Sequence, residues 1–530
     1  MPMMSLLSEP LFSATPTNNN VPPLQLCLPE LLARLSQGEH LEFSALRAHQ
    51  VPAWHAFLVQ IGALVTHRLG ASVAALSEEE WRKGLLDLAG DAGEAAWSLV
   101  VTDLALPAFL QPPIPEGNLA AFKKIIPTPD DLDVLITTRN HDLKQGQMGR
   151  PRPEHWIYAL VALQTMEGFL GRGNYGIARM NGGFSSRPTL TYAPGLGSGE
   201  RFLRDVAVWR ESREDLLRGS YGYPEEGGAA LLWTLPWDGK KSRATPSECD
   251  PFFIEICRRI RLVQTEGGRV EARFAPSSAP FLDAKALQGD TGDAWTPVDK
   301  TSGSSLTVPG SGFSYRLLSR LLFTGDFRLP AALHLRAEDS EEPVLLAQVL
   351  VRGQGKTEGF HERVLPIPKR ARRFVSSPDE RSRLAELAQA RIEDAKKAQT
   401  RVLRPALCAL LQGGRDKLDF RDDGARIWLD RLDAAIDRAF FTHLWAAAEM
   451  DPSSADHSWH SFLRDEAREL LEEAIHSVPI PLAVYPRAVA RAEGLFHAIA
   501  RKELPGAYAD TSGGPPPSEP DPPSQIEGAS

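Results

Sequence analysis

Apolar residues recur at three- and four-residue intervals in the first third of the chain, which is typical of helices that bury one face. The segment Ala53–Arg68 shows this spacing and is predicted to form a buried helix. A second helix is predicted to start at Ser77, because Glu80 follows three residues later and completes a capping-box pattern. Glu154–Leu170 is again helical in pattern and leads into a glycine-rich stretch.

From about Ala229 to Pro368 the pattern changes to short runs rich in β-branched and aromatic residues. Glycine and serine separate these runs, which favours turns between strands. We expect an antiparallel meander within a mixed α/β domain, because the strand–helix alternation that builds a doubly wound sheet is missing from the pattern. The predicted strands include Ala230–Trp237, Ile254–Val263, Arg269–Phe274 and Val344–Arg352.

The last third of the chain returns to helical periodicity. Ser377 followed by Pro378 and two acidic residues is a strong helix start. The four predicted helices run from there to about Leu411 with a bend near Pro405, and then over Asp423–Met450, Asp456–Ser477 and Pro486–Glu503. Amphipathic helices joined by short breaks predict an up-down bundle.

These patterns predict an α+β fold. Residues 1–375 form a large mixed α/β N-terminal domain with antiparallel strands, and residues 376–504 form a C-terminal four-helix bundle. Residues 505–530 are rich in proline, glycine and serine and are predicted to be a disordered tail.

Composition supports a globular protein: 42% of the 530 residues are apolar and 24% are charged. No apolar run reaches the roughly 20 residues of a membrane span, and the N-terminus lacks the pattern of a secretory signal. The spacing of the four cysteines matches neither a zinc site nor a disulfide framework, so we expect a cytoplasmic protein.

Charge is distributed unevenly along the chain. The net charge is −9, which argues against a free-standing, non-specific DNA binder. Between Arg139 and Arg210, however, ten basic residues face five acidic ones. An acidic body with a local basic excess favours a subunit that touches nucleic acid only in places.

The glycine-rich stretch is the most informative local pattern. Gly171-Arg172-Gly173-Asn174-Tyr175-Gly176 is followed closely by Asn181-Gly182-Gly183-Phe184. Glycine permits close backbone approach and positive φ, and arginine supplies a fork of donors suited to phosphate or base edges. The stretch therefore favours contact with a polyanion, although a hairpin with ordinary glycine turns remains an alternative.

Catalytic patterns do not assemble. Gly355-Lys356-Thr357 is not a phosphate-binding loop, because Leu350 occupies the position where that motif needs a glycine. His141-Asp142 resembles the core of HD metal hydrolases, but further ligands do not stand out. We expect a non-enzymatic protein without a metal or another cofactor; a metal-dependent phosphohydrolase using His141 and Asp142 stays open as an alternative.

Several motifs together resemble a known family. They are Ser5–Phe12, Leu28–Leu32, Phe109–Gln111, Arg139–Asp142, Asn181–Phe184 and Gly353–Gly359. In this order, and followed by a predicted helical bundle, they resemble the CasA-type large subunit of Cascade, the type I-E CRISPR surveillance complex. The resemblance covers nearly all of residues 5 to 504.

The resemblance implies a function in RNA-guided antiviral defence. Members of the family recognise a short protospacer-adjacent motif (PAM) in double-stranded target DNA, largely through the minor groove. They help to open the duplex so that the CRISPR guide RNA pairs with it, and they help to recruit a helicase-nuclease. The implied partners are target DNA, guide RNA, the other Cascade subunits and that helicase-nuclease, with no membrane. A scaffold subunit without a DNA role is a further alternative.

The resemblance also implies roles for particular residues. A glycine loop against the minor groove matches Gly171, Arg172, Gly173 and Asn174. A lysine finger inserted in that groove matches Lys300.

A glutamine wedge that splits the first base pair matches Gln354, beside Gly355. Arg352 and Lys356 flank the wedge and are candidate phosphate contacts. A loop that touches the guide RNA handle and anchors the subunit matches Arg139, Asn140, His141 and Asp142.

Overall fold

The computed structural model describes residues 2–17, 22–133, 148–182, 185–353, 356–421 and 423–509. The chain divides into two compact units, Met1–Glu380 and Arg381–Ser530. None of the helices in the described residues combines the length and the apolar character needed to cross a lipid bilayer.

Helices and short strands alternate irregularly through the first unit. Its helices are α1 (Leu28–Ser36), α2 (Val51–Leu69), α3 (Glu78–Ala89), α4 (Pro129–Leu132), α5 (Pro153–Met166), α6 (Ser198–Arg218), α7 (Tyr315–Phe323) and α8 (Lys369–Ser376). Its strands are β1 (Pro2–Ser5), β2 (Phe12–Pro16), β3 (Leu24–Leu26), β4 (Leu41–Glu42), β5 (Ser98–Val101), β6 (Lys124–Ile126), β7 (Thr189–Ala193), β8 (Ala229–Leu231), β9 (Cys249–Ile254), β10 (Arg259–Gln264), β11 (Val270–Ala275), β12 (Val298–Asp299), β13 (Phe327–Arg328), β14 (Val344–Gly353) and β15 (Lys356–Pro366).

Helix α2 is the centre of the first unit. It is apolar on most of its surface and packs against α3, α5, α6 and β9. A Cβ atom at Gly62 would lie 2.7 Å from a methyl carbon of Val206, so glycine lets α2 and α6 approach closely. Each large apolar side chain buried here contributes about 1.5–3 kcal/mol.

The sheets are small and mostly antiparallel. Three of them have three strands, in the orders β10-β11-β6, β15-β14-β7 and β3-β2-β4. The hairpin of β14 and β15 is the longest pairing, and β14 also pairs with β7. Strands β8 and β9 pair in parallel. The predicted α+β class with antiparallel strands is confirmed, but the meander is wrong, because β6 and β7 come from earlier parts of the chain.

The second unit is helical. It contains most of α9 (Pro378–Lys397), a π-helical turn at Ala398–Leu403, α10 (Arg404–Leu411), α11 (Arg426–Ala447), α12 (Pro452–Ser477) and α13 (Tyr485–Glu503). The turn interrupts the first long helix just before Pro405, where the bend was expected. The sequence placed the domain boundary between residues 375 and 376, whereas the units divide after Glu380.

Two predicted boundaries in the first unit are wrong because backbone groups that a longer element needs are bonded to distant segments instead. The predicted strand Ile254–Val263 is broken after Ile254. There the Gln164 side chain accepts hydrogen bonds from the backbone N–H groups of Cys257 (3.0 Å) and Arg258 (2.8 Å). Helix α5 ends at Met166 rather than Leu170, because Glu167 pairs in an extended bridge with Ser186.

Two further expectations also differ from the structure. The predicted strand Ala230–Trp237 is interrupted by a 3-10 turn at Leu232–Thr234, which buries Trp233. The predicted disordered tail begins too early, since Pro505–Tyr508 forms a 3-10 turn on α12. Gly506 donates there to Nδ1 of His460 at 3.1 Å. Residues 510–530 lie outside the described residues.

Candidate nucleic-acid interface

The glycine loop after α5 is a tight, hydrogen-bonded hairpin. Leu170 N–H donates to Asn174 O at 3.0 Å, and Asn174 N–H donates to Gly171 O at 2.9 Å. Gly171 and Gly173 have φ values of 101° and 88°, in the region that glycine adopts without strain. The turn places Arg172 at its tip with an exposed side chain. This position favours contact with an external partner.

Side chains from distant segments fix this loop. Arg258 donates to Gly168 O at 3.1 Å and also to Tyr175 O, so one guanidinium joins both arms of the hairpin. Ser277 N–H donates to Gly173 O at 3.2 Å. A Cβ atom at Gly176 would lie 2.5 Å from the carbonyl carbon of Gly168, so the two arms touch through their backbones. The tip is therefore presented on a rigid stem.

The lysine predicted as a finger lies in a second hairpin. Val298 of β12 pairs with Ser305 across this hairpin, and Lys300 follows β12 directly with an exposed side chain. The carboxylate of Asp299 accepts from the N–H groups of Thr301 (2.9 Å) and Ser302 (3.0 Å), which closes the turn. These hydrogen bonds hold the pKa of Asp299 below its usual value. The other oxygen of Asp299 accepts from Arg320 at 3.2 Å.

The Asn181 segment connects the two hairpins. The Asn181 side chain donates to Ser305 O at 3.0 Å and accepts from the Thr307 hydroxyl at 2.9 Å. Ser305 and Thr307 follow the turn of the lysine hairpin. Gly289 packs against both sides of this contact, because a Cβ atom there would lie 2.0 Å from the Ser305 hydroxyl and 2.8 Å from Asn181 N. Asn181 therefore has a structural role beside Lys300.

The β14–β15 hairpin is the third element of the cluster. Its strands are paired to their ends, where Gly353 faces Lys356. Ser186 N–H donates to Leu350 O at 3.0 Å, and Leu350 N–H donates to the Ser186 hydroxyl at 2.8 Å, which ties β14 to the segment after the Asn181 loop. Gln354, Gly355 and the side chain of Lys356 lie outside the described residues.

Arg352 points into the protein rather than to solvent. Its guanidinium pairs with the carboxylate of Glu167, and only 5% of its side chain is exposed. Glu167 directly follows α5 and precedes the glycine loop, so this ion pair joins the base of that loop to the end of β14. The side chain of Arg352 is buried and already pairs with the Glu167 carboxylate. This position does not support the prediction that Arg352 holds a phosphate.

A layer of buried arginine–carboxylate pairs lies beneath these loops. Arg179 donates to Glu255 at 2.9 Å and lies over the Phe253 ring at 3.9 Å. Arg187 pairs with Asp293 through both carboxylate oxygens. Burial by itself would raise the pKa of Asp293, but the guanidinium of Arg187 outweighs this effect and holds it below the usual value.

The structure thus links the glycine loop, the Asn181 segment, the lysine hairpin and the end of the β14–β15 hairpin in one contact chain. Arg139, Asn140, His141 and Asp142 lie outside the described residues. Among the described residues, no group of three or more His, Cys, Asp or Glu side chains is arranged to hold a metal ion. The four cysteines are all described, and they form no disulfide.

Sequence reasoning missed the residues that hold the loops together. Arg258 and Ser277 are far from the glycine loop in sequence, and neither belongs to a motif. The only signal was indirect: the charged residues Glu255, Arg258 and Arg259 interrupt the apolar pattern after Ile254.

Comparison with known proteins identifies the fold. No family model matches the chain, and no curated protein sequence matches it. CasA (Cse1) of Thermus thermophilus matches with 15% identity and a TM-score of 0.56, over 95% of this chain and 100% of that one. Cse1 of Acidimicrobium ferrooxidans matches with 15% identity and a TM-score of 0.61, over 95% and 99%.

A structure described as a CRISPR RNA-guided surveillance complex also matches. Its identity is 14% and its TM-score 0.58, over 94% of this chain and 100% of that one. Both units of the chain are therefore included in the likeness. The chain has the fold of CasA (Cse1) proteins along nearly its whole length.

Proposed function

We propose that this chain is the CasA-type large subunit of a type I-E CRISPR surveillance complex. In that role it recognises the PAM in double-stranded DNA, helps to open the duplex for R-loop formation, and helps to recruit the helicase-nuclease. The observation that carries the proposal is the CasA fold over at least 94% of the chain, together with the order of motifs in the sequence.

The glycine loop has the properties of a minor-groove reader. The groove is about 6 Å wide, so a reader must be a narrow element with few bulky side chains. The hairpin of Gly171–Asn174 is narrow and is held rigid by Arg258. Arg172 at its tip would enter the negative potential of the groove or bind a flanking phosphate. A preorganised loop loses little entropy on binding, which favours affinity.

Lys300 would supply the second contact. Its backbone is fixed by the Asp299 turn, while its side chain is exposed and makes no hydrogen bond or ion pair with a described residue. The hydrogen bond from Asn181 to Ser305 ties this hairpin to the segment that follows the glycine loop. A lysine in this position gains energy by replacing condensed cations on DNA.

Duplex opening is assigned to the tip of the β14–β15 hairpin. Gln354 would stack against the first base pair beyond the PAM, with Gly355 allowing close approach. Unstacking a step costs a few kcal/mol, so the wedge needs firm support. The paired strands and the Arg352–Glu167 ion pair provide that support. Lys356 remains the proposed phosphate contact at this tip.

The remaining partners follow from the same proposal. Arg139, Asn140, His141 and Asp142 would contact the guide RNA handle and anchor the subunit to its neighbours. The chain would act as a non-enzymatic subunit in the cytoplasm. If the phosphohydrolase alternative were true, purified protein with manganese or magnesium would cleave DNA, and His141→Ala would abolish the cleavage.

The test uses the complex reconstituted with guide RNA and a target duplex carrying a fluorescent base analogue beside the PAM. We expect Lys300→Ala to weaken target binding by about tenfold, as for one groove contact worth about 1–3 kcal/mol. Gln354→Ala should slow the fluorescence change that reports opening. Arg218→Ala, at an exposed position 71% accessible on α6, is the control. Unchanged binding and opening in both variants would favour a scaffold without a DNA role.

A further inference from the structure

A cavity of about 300 Å³ lies between α2, the first turn of α6 and the segment around β4. Its wall is predominantly apolar. The residues that give this character are Leu35, Phe43, Leu46, Trp54, Leu58 and Phe202. This volume is at the lower end of small-molecule sites. No described residue of the loops assigned to DNA lines the cavity, so ligand binding here would be independent of the proposed function.

One arginine in this wall lacks a partner. Arg201 lines the cavity and is only 8% exposed. Its guanidinium makes no hydrogen bond or ion pair with any residue in the described ranges, and its Nε atom is buried without a partner. Burial lowers the pKa of Arg201, and the charges of Asp205 and Glu362 offset this effect only in part. An unpaired buried charge is costly, so its retention needs an explanation.

Two other buried arginines on α6 each have a carboxylate as hydrogen-bond partner. Arg204, on the same helix, makes two hydrogen bonds to the carboxylate of Asp339, both at 2.9 Å. Arg213, further along α6, pairs with both oxygens of Asp250 at 2.9 Å. Each of these buried guanidinium groups is matched by a carboxylate. Arg201 is buried like them and stands at a cavity instead.

The carboxylate of Asp205, one turn further along α6, is already occupied. One oxygen of Asp205 accepts from Thr191 (3.1 Å) and Arg204 (3.2 Å). The other oxygen accepts from the Trp295 ring at 3.2 Å and lies 2.9 Å from Nε2 of His55. These contacts use the lone pairs of the Asp205 carboxylate, so it has none left for a fork-like bond with Arg201.

We propose that this cavity binds a carboxylate with a short apolar body, and that the Arg201 guanidinium holds the carboxylate through two hydrogen bonds. The apolar wall would enclose the body. A single guanidinium balances one negative charge, and His55, whose pKa burial lowers, adds no positive charge at neutral pH. Glu42 also lines the cavity and would repel a doubly charged phosphate more strongly than a singly charged carboxylate.

The carboxylate has two possible sources, a free small molecule or the end of a protein chain. Calorimetry on the full-length protein distinguishes them with four probes: hexanoate, hexanol, and an acetylated dileucine with either a free or an amidated terminus. Hexanoate binding without hexanol binding identifies a small carboxylate. Binding of the free-terminus dipeptide alone identifies a protein terminus. Binding of neither carboxylate to the wild-type protein would overturn the proposal.

Variants locate the site. We expect Arg201→Met to weaken carboxylate binding by at least about tenfold, and Arg201→Lys to weaken it less, since the charge is kept but the fork is lost. The control is Arg218→Met, on the same helix with 71% of its side chain exposed, which should bind as the wild type does. Equal binding by Arg201→Met and wild type would contradict the assignment.

A second readout separates a ligand-binding arginine from a structural one. Without ligand, Arg201→Met should unfold at the same temperature as the wild type or at a higher one, because the variant removes an unpaired buried charge. Hexanoate should raise the unfolding temperature of the wild type only. A strongly lowered unfolding temperature in Arg201→Met, restored by Arg201→Lys, would show that Arg201 stabilises the fold and would refute the proposal.

Discussion

The loop tips of the candidate interface and the layer beneath them use basic side chains in opposite ways. At the tips, Arg172 and Lys300 are exposed on backbones fixed by other residues. In the layer beneath, Arg179 and Arg187 are buried and paired with carboxylates. A buried pair is a poor source of net stability, but it is costly to break, whereas an exposed cation is nearly free to change. Mutations in the buried layer should therefore lower the free energy of unfolding, whereas mutations at the tips should leave it nearly unchanged and weaken target binding.

This difference corrects the interpretation of local charge. The ten basic residues between Arg139 and Arg210 predicted a basic patch. Four of them are buried: Arg179, Arg187, Arg201 and Arg204. Three of the five acidic residues, Glu154, Glu167 and Asp205, are buried as well, so burial lowers the number of exposed charges of both signs. In the proposed function, contact with DNA would depend on a few exposed cations on shaped loops, in keeping with the net charge of −9.

The largest expected effect is in the buried layer. Arg187→Met should lower the free energy of unfolding by about 3–5 kcal/mol, because it leaves the Asp293 carboxylate buried without its partner. The double variant Arg187→Met/Asp293→Leu should recover most of this loss. Urea denaturation followed by tryptophan fluorescence measures both. Equal destabilisation of the single and double variants would show that packing, and not the charge, determines the result.

The same pair should make stability depend on acid. The pKa of Asp293 is held below its usual value by Arg187, so its contribution is fully present above the unfolded pKa, about 4. That contribution is lost as pH falls through the lower folded pKa. We expect the double variant to lose less stability than the wild type between neutral pH and pH 3. Parallel curves would contradict the role assigned to this pair.

An intermediate effect is expected in the stem of the glycine loop. Gly176→Ala should cost about 1–3 kcal/mol, because the new methyl group meets the Gly168 backbone and pushes the two arms apart. Thermal unfolding measures the loss, and target binding by the assembled complex should weaken as well. Gly149→Ala, where the added carbon meets nothing within 4 Å, is the matched control. Normal DNA binding by Gly176→Ala would separate the loop from DNA recognition.

The smallest change in stability is expected at the tip. Arg172→Ala should change the free energy of unfolding by less than about 0.5 kcal/mol, because the side chain is exposed. Target binding should nevertheless weaken, and the slope of log affinity against log salt should become shallower by about one. Titrations at several salt concentrations, with Arg218→Ala as the control, measure this. An unaltered slope would remove Arg172 from the phosphate contacts.

Much of the secondary structure followed from local chemistry. The helix start at Ser77 is a complete capping box, in which Ser77 and Glu80 satisfy each other's backbone N–H groups. Helix α2 and strand β14 lie where periodicity placed them. The glycine loop was recognised because positive φ at Gly171 and Gly173 can be anticipated from residue type. Lys300 was taken from the family resemblance, and its exposure agrees with the role proposed for it.

The remaining features of the fold and of the candidate site could not be predicted, because they depend on contacts between distant segments. Ile254 and Val263 belong to one predicted strand, yet the strand is broken between them, where the Gln164 side chain accepts from the backbone. The sequence does not show that Arg172 is exposed and Arg352 buried. The difference arises in the folded chain, where the Glu167 carboxylate pairs with Arg352.

By itself, the sequence determined the α+β class, the helical C-terminal third and the positions of the tight turns, because capping, periodicity and glycine geometry act within a few residues. The tertiary structure alone decided which arginines are buried, which are exposed, and which loops stand together. Those outcomes depend on the desolvation of each charge and on the carboxylate that the fold brings to it.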